Sequence, residues 1–450
     1  MMVLGLAILE KLSTNKHNCA TTSNAVQGLL PKIMAPVSSD MLHRIGHDAL
    51  YGIVNGSLKV MCRLVTAPGE TGIEFRRAIA SNKEAVGGME MILNCKNCTD
   101  EIHMLAIKIL TQLPVDASSN EDIDTLITNL LVTIFTTDEN KDNNHITIRK
   151  MAGEALAMLS DKSESNAAAI LKATDTVVGD LCRVHLHVEV YDNYAAATLK
   201  ATSLRIIAAE ILEHVCIRYT QDDYYLKILK KATKDVMPQV FAEIFILLPS
   251  GIKKIKPEPR CCRFEISNIE EGQLDRHTGT ASQDNGQLNT TPSRQQHAAK
   301  QIQAALLSLS AAVFDKLIIE SGSLAEVVDT ISPRDSVTSF AGKLKEMVEK
   351  NSEPTANCLR ILKITSRMVT SMLENNGSYV VQDLEGLVES LSRASDKMVL
   401  LEGLMIVGSS DHGGTMKPPC TLHSLVKKAR ELLDKKKKLQ AEKLAIMPAT

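Results

Sequence analysis

Seven copies of one apolar pattern, most of them about fifty residues apart, restrict the folding of this chain more than any other feature. The clearest copy is Ile102, Leu105, Ala106, Ile109, Leu110, Leu113, whose offsets of 0, 3, 4, 7, 8 and 11 put six apolar side chains on one face of a three-turn helix. The same offsets give Ile148, Met151, Ala152, Ala155, Leu156, Leu159; Leu204, Ile207, Ala208, Ile211, Leu212, Val215; and Met1, Leu4, Gly5, Ile8, Leu9, Leu12. Weaker copies start at Ile53, Ile302 and Cys358 and end at Leu64, Val313 and Val369. Taken by last residue, the copies lie at 12, 64, 113, 159, 215, 313 and 369, with steps of 52, 49, 46, 56, 98 and 56. One amphipathic helix is weak information, but a regular series of them is the signature of a repeat array. A helical unit of this size cannot cover its own apolar faces, and stacked neighbours can, so one extended core is expected.

Each stripe is followed by a turn that often carries Asn, at Asn18, Asn120, Asn166 and Asn376, and Asn is expected there because it tolerates left-handed backbone and caps a following helix. A second apolar helix comes next: Leu126, Ile127, Leu130, Leu131, Ile134, Phe135 in one unit; Val236, Val240, Phe241, Ile244, Phe245 in another; Val380, Val381, Leu384, Leu387, Val388, Leu391 in a third. Composition agrees with helix-on-helix packing. Hydrophobic residues make up 44% of 450, aromatics only 3%, and Trp is absent, so the core is built from Leu, Ile, Val, Ala and Met. The net charge of -2 supplies no general field for nucleic acid.

The segments 152–160 and 164–171 resemble an armadillo repeat: a helix reading Ala-Gly-Glu-Ala-Leu-Ala-Met-Leu-Ser, an Asn-bearing turn and the start of the next helix. Residues 343–355, 360–363 and 387–395 are similar to a group of plant armadillo-repeat proteins. The resemblance covers essentially the whole chain. It implies an all-α fold, a right-handed superhelical solenoid of armadillo-type repeats, with stacked third helices lining a groove for a protein or peptide partner. Armadillo import adaptors read their peptides with a ladder of Trp and Asn, and a chain without Trp is not expected to do so. Members of the plant group often carry membrane helices ahead of the repeats. The first stripe begins at Met1 with no polar capping unit, so further repeats or a membrane region are expected to precede it in a longer form.

The expected organisation is therefore repeats over 1–248, a polar insertion over 249–298, repeats over 299–395, and a loop with a basic C-terminal helix over 396–450. The insertion holds Pro249, Pro257, Pro259 and Pro292 among Gln, Asn, Ser, Thr and Gly, which is too little apolar surface to offset ordering, and it explains the doubled step. The last helix carries Leu422, Leu425, Val426, Ala429, Leu432 and Leu433 on one face and ends in Lys435–Lys438, read as a solvated helix end or as a basic tail.

No candidate site rises above this background. Phosphate-binding glycine loops and the G-x-S-x-G elbow are absent. Cys95 and Cys98 form a lone C-x-x-C without a second pair at zinc spacing, and Cys261 and Cys262 lie in the insertion. His43 and His47 share a helical spacing without the Glu a zinc protease requires. Residues 184–191 alternate like a strand that would align His185, His187 and Glu189, but their position in the repeat favours helix. The sequence thus predicts no catalytic, cofactor or metal residues, no enzyme, a scaffold that binds a protein or peptide in the cytoplasm, and as its alternative a cytosolic module of a membrane-tethered or membrane-peripheral protein. Ten scattered Cys suit a reducing compartment.

Overall fold

The structure is a computed structural model describing residues 2–38, 46–95, 97–113, 121–137, 143–186, 195–221, 223–246, 292–316, 340–374, 381–408 and 420–446. Every regular element among the described residues is an α-helix: α1 (Met2–Leu12), α2 (Lys16–Ser38), α3 (His47–Val65), α4 (Glu70–Ala80), α5 (Lys83–Asn94), α6 (Asp100–Leu110), α7 (Glu121–Thr136), α8 (Asn143–Lys162), α9 (Glu164–Lys172), α10 (Val177–Leu186), α11 (Ala195–Arg218), α12 (Tyr224–Ile246), α13 (Pro292–Lys316), α14 (Phe340–Lys350), α15 (Ala356–Glu374), α16 (Val381–Gly408) and α17 (Leu422–Ile446).

The seven stripes fall on α1, α3, α6, α8, α11, α13 and α15, and these helices stand side by side in a single row, each packed on the next. The row goes on to α17, which packs on α15. The other long helices form a second layer, in which α2 meets α5, α7 meets α10, α10 meets α12, and α14 meets α16. One hydrophobic core runs through both layers from Leu6 to Leu433. The chain is an all-helical solenoid of stacked helical repeats.

The stripe offsets produce this row because the small members of each stripe let two helices approach. Ala152, Ala208 and Ala305 are fully or almost fully buried. In the second layer the same job falls to Gly88 of α5, where an added Cβ would lie 1.8 Å from the Val37 carbonyl oxygen at the end of α2. The doubled step does not interrupt the row, since α11 and α13 pack directly. Next to that junction the aromatics concentrate: Phe241 lies 5.6 Å from Phe314 and 5.0 Å from Phe340, and Phe245 lies 6.1 Å from Phe340. These rings join α12, α13 and α14, three helices the sequence separates by long stretches.

Two expected boundaries fall inside helices. The polar segment was placed at 249–298, yet helix α13 already begins at Pro292; proline suits the first turn, where its missing N–H has no helical partner. The rest of that segment lies outside the described residues. The boundary at 395 lies within α16, which runs unbroken to Gly408.

The turn asparagine also acts differently from expectation. Asn166 sits inside α9, not at its cap; Ser163 is the cap, its Oγ accepting the Asn166 N–H at 3.2 Å. The Asn166 side chain instead donates to the Leu159 carbonyl at 3.0 Å, satisfying an acceptor that the end of α8 leaves open. Asn120 and Asn376 lie outside the described residues.

Candidate interaction groove

The row is hollow around α15. A cavity of about 890 Å³ opens there, with α15 as its floor. Ser308 and Asp315 of α13 stand on one side, Leu425 and Lys428 of α17 on the other, and Met405 of α16 closes one end. Leu359 and Ile364 supply apolar floor, and both are largely buried. The lining comes mainly from the stripe helices α13, α15 and α17, with Met405 of α16 added from the second layer.

Three cations line this floor at Arg360, Lys363 and Arg367, spaced to share one face of α15. Each is tied to an acid on a different neighbour. Arg360 reaches Glu210 of α11 at 4.0 Å, Lys363 reaches Glu402 of α16 at 2.5 Å, and Arg367 reaches Asp315 of α13 at 3.6 Å. Lys428 of α17 pairs with Glu374 at 2.8 Å. Burial pushes the Glu210 carboxyl up, against the pull of the Arg360 charge. The groove is therefore rich in charge but internally balanced. The pairing was not visible in the sequence because each acid comes from another helix; the only local signal was the spacing of the three cations.

Of the residues the sequence singled out, the structure brings three together. His47 is the first residue of α3, Cys95 caps the end of α5, and Cys98 precedes the Thr99 cap of α6. His47 Nε2 lies 3.2 Å from Cys95 Sγ. Burial, then the neighbouring Cys95, pushes the Cys98 thiol up to about 12. The partner expected for His47 by spacing, His43, lies outside the described residues, as do His187, Glu189, Cys261 and Cys262. His185 is helical, the penultimate residue of α10, and 1% exposed. Its Nδ1–H donates to the Arg205 carbonyl at 3.3 Å, and burial first of all holds its pKa down to about 4. In the basic tail, Lys437 turns back to Glu385 of α16 at 2.6 Å.

No family model matches this chain, and no curated protein matches it. Among solved structures it is similar to the crystal complex SYS-1/POP-1, with 10% sequence identity and a TM-score of 0.48 over 90% of this chain; the chain spans 63% of the length of that one.

Proposed function

We propose that this chain is a non-enzymatic scaffold that binds a segment of another protein in the α13–α15–α17 groove. The observation that carries this reading is the groove itself: a hollow of about 890 Å³, within the usual size of binding pockets, with apolar floor and a rim of fixed charges. Leu359, Ile364, Met405 and Leu425 suit one or two apolar anchor side chains, each worth about 1.5–3 kcal/mol on full burial. Because the rim cations already have acids, they favour a partner carrying both signs of charge, which exchanges one set of ion pairs for another. That balance also disfavours nucleic acid as the ligand, in line with the net charge of -2. We place the scaffold in the cytoplasm, a setting that suits the free thiols of Cys62, Cys95, Cys98, Cys182, Cys216, Cys358 and Cys420. Among the described residues no helix is long and apolar enough to cross a membrane.

The test is site-specific photo-crosslinking. Because residues 343–355 and 387–395 resemble plant armadillo-repeat proteins, plant extract is the source of partners. A photoreactive residue at Met405 or Lys428 should give a discrete adduct that Leu425→Glu abolishes. The control position is Met91, an exposed residue of α5 in the other layer. The same adducts from Met91, or none from the groove, would overturn the reading.

A further inference from the structure

We propose that His47, Cys95 and Cys98 form a three-donor site for a thiophilic divalent cation, Zn²⁺ above all, with one coordination position left to water or an outside donor. The three donor atoms all lie within 4.8 Å of one another. A tetrahedral zinc ion, with Zn–S near 2.3 Å and Zn–N near 2.0 Å, holds its donors roughly 3.5–3.8 Å apart. The cluster is thus within a small side-chain adjustment of ligand geometry, and two thiolates with one imidazole is a donor set zinc prefers.

The placement is a consequence of the fold and not of local sequence. His47 is 48 residues from Cys95 and arrives on a different helix. The C-x-x-C pair occupies the turn from α5 to α6, and α3 packs on α6, so an ion here would clip the start of α3 to that turn. The N-termini of α3 and α6 begin at His47 and just after Cys98, and their partial positive charge, with that of the ion itself, works against the burial that disfavours a Cys98 thiolate. The turn is also held from behind: the buried His103 donates Nε2–H to the carbonyls of Ile92 and Cys95 at 2.9 and 3.1 Å. A backbone fixed on both sides of Cys95 keeps its side chain aimed at His47.

Titration of the fully reduced full-length chain with Co²⁺, then Zn²⁺, tests the site. One Co²⁺ per chain should bind with thiolate-to-metal charge-transfer absorption, and Zn²⁺ should displace it. Cys95→Ser and Cys98→Ser should each remove about half of that absorption, and His47→Ala should weaken binding at least tenfold while keeping it. Cys420→Ser, at an exposed cysteine far along the chain, should change nothing. Helical content by circular dichroism, measured on every variant, separates ligand loss from misfolding. The proposal is overturned if the folded, reduced wild-type chain takes up no stoichiometric metal, if uptake survives in the Cys95→Ser/Cys98→Ser double variant, or if the pair closes as a disulfide and shows no metal binding once reduced.

Discussion

His185 should make the middle of the solenoid acid-sensitive. Its ring is buried where α10, α11 and α12 meet; Nδ1–H is used on the Arg205 carbonyl, and Nε2 is buried without a hydrogen-bond partner among the described residues. A second proton would have to sit on Nε2, in apolar surroundings, with the Arg205 guanidinium close by: that side chain donates to the His185 carbonyl at 2.8 Å and pairs with Glu243. Burial is the largest cause of the depressed pKa, and the Arg205 charge adds to it against the weaker pull of Glu243. The sign follows from proton counting. Between pH 6.5 and about 4 the unfolded chain carries the proton and the folded chain does not, so stability is complete above 6.5 and falls as the pH drops toward 4. That gap corresponds to about 3 kcal/mol, most of which is lost by about pH 4.5. The comparison is with His185→Asn, whose amide can keep the donor to Arg205 and cannot titrate. Urea unfolding from about pH 7 to 4.5 should show wild type losing about 2–3 kcal/mol more than the variant. Hydrogen exchange should place the difference in α10–α12, because repeats open locally. Equal losses in the two proteins would refute the reasoning.

Other outcomes follow from packing. Gly87 and Gly88 are adjacent in α5 and should respond in opposite directions: a Cβ at Gly87 meets nothing within 4 Å, so Gly87→Ala should stabilise by about 0.5–1 kcal/mol, whereas Gly88→Ala drives a Cβ into backbone and should destabilise by about 3 kcal/mol or more, read in thermal melts. Arg367→Ala should change stability by less than about 1 kcal/mol, because both it and Asp315 are substantially exposed; a larger loss in urea unfolding would mean that the groove cations hold the fold together. Zn²⁺ at about a hundred times its dissociation constant should raise stability by about 2.7 kcal/mol in wild type and leave the Cys95→Ser/Cys98→Ser variant unmoved.

The row was legible in the sequence because its determinant is local. Offsets such as those of Leu204, Ile207, Ala208, Ile211 and Leu212 state both that a helix forms and which face is buried, and row neighbours share that code. The place of α17 in the row was half visible: Leu422, Leu425, Val426, Ala429 and Leu433 keep the offsets, but Arg430 breaks the stripe and the step from Val369 is long. What remained hidden was contact between helices. His47 and Cys95, Lys363 and Glu402, and Phe241 and Phe340 are each brought together by stacking, and no periodicity within one helix reports the register of its neighbour.

That dependence on stacking meets in one residue at the groove. Without α17 the hollow above α15 has a single wall, so its shape depends on where α17 docks. Glu402 of α16 is 6% exposed and sets that position from both directions. Both its carboxylate oxygens accept the N–H of Leu422, the first residue of α17, at 3.1 Å, and the same carboxylate holds Lys363 on the groove floor at 2.5 Å. A charged acceptor at a helix N-terminus also meets the favourable end of the helix dipole. Glu402→Ala therefore strands a buried N–H and a lysine together, at about 2–3 kcal/mol, with the loss concentrated where α17 meets α15 and α16. If binding needs both walls, the same change should weaken it even though Glu402 lies outside the cavity lining, and hydrogen exchange of α17 should rise in parallel. Binding kept intact while α17 exchanges freely would mean that the floor of α15 is sufficient by itself.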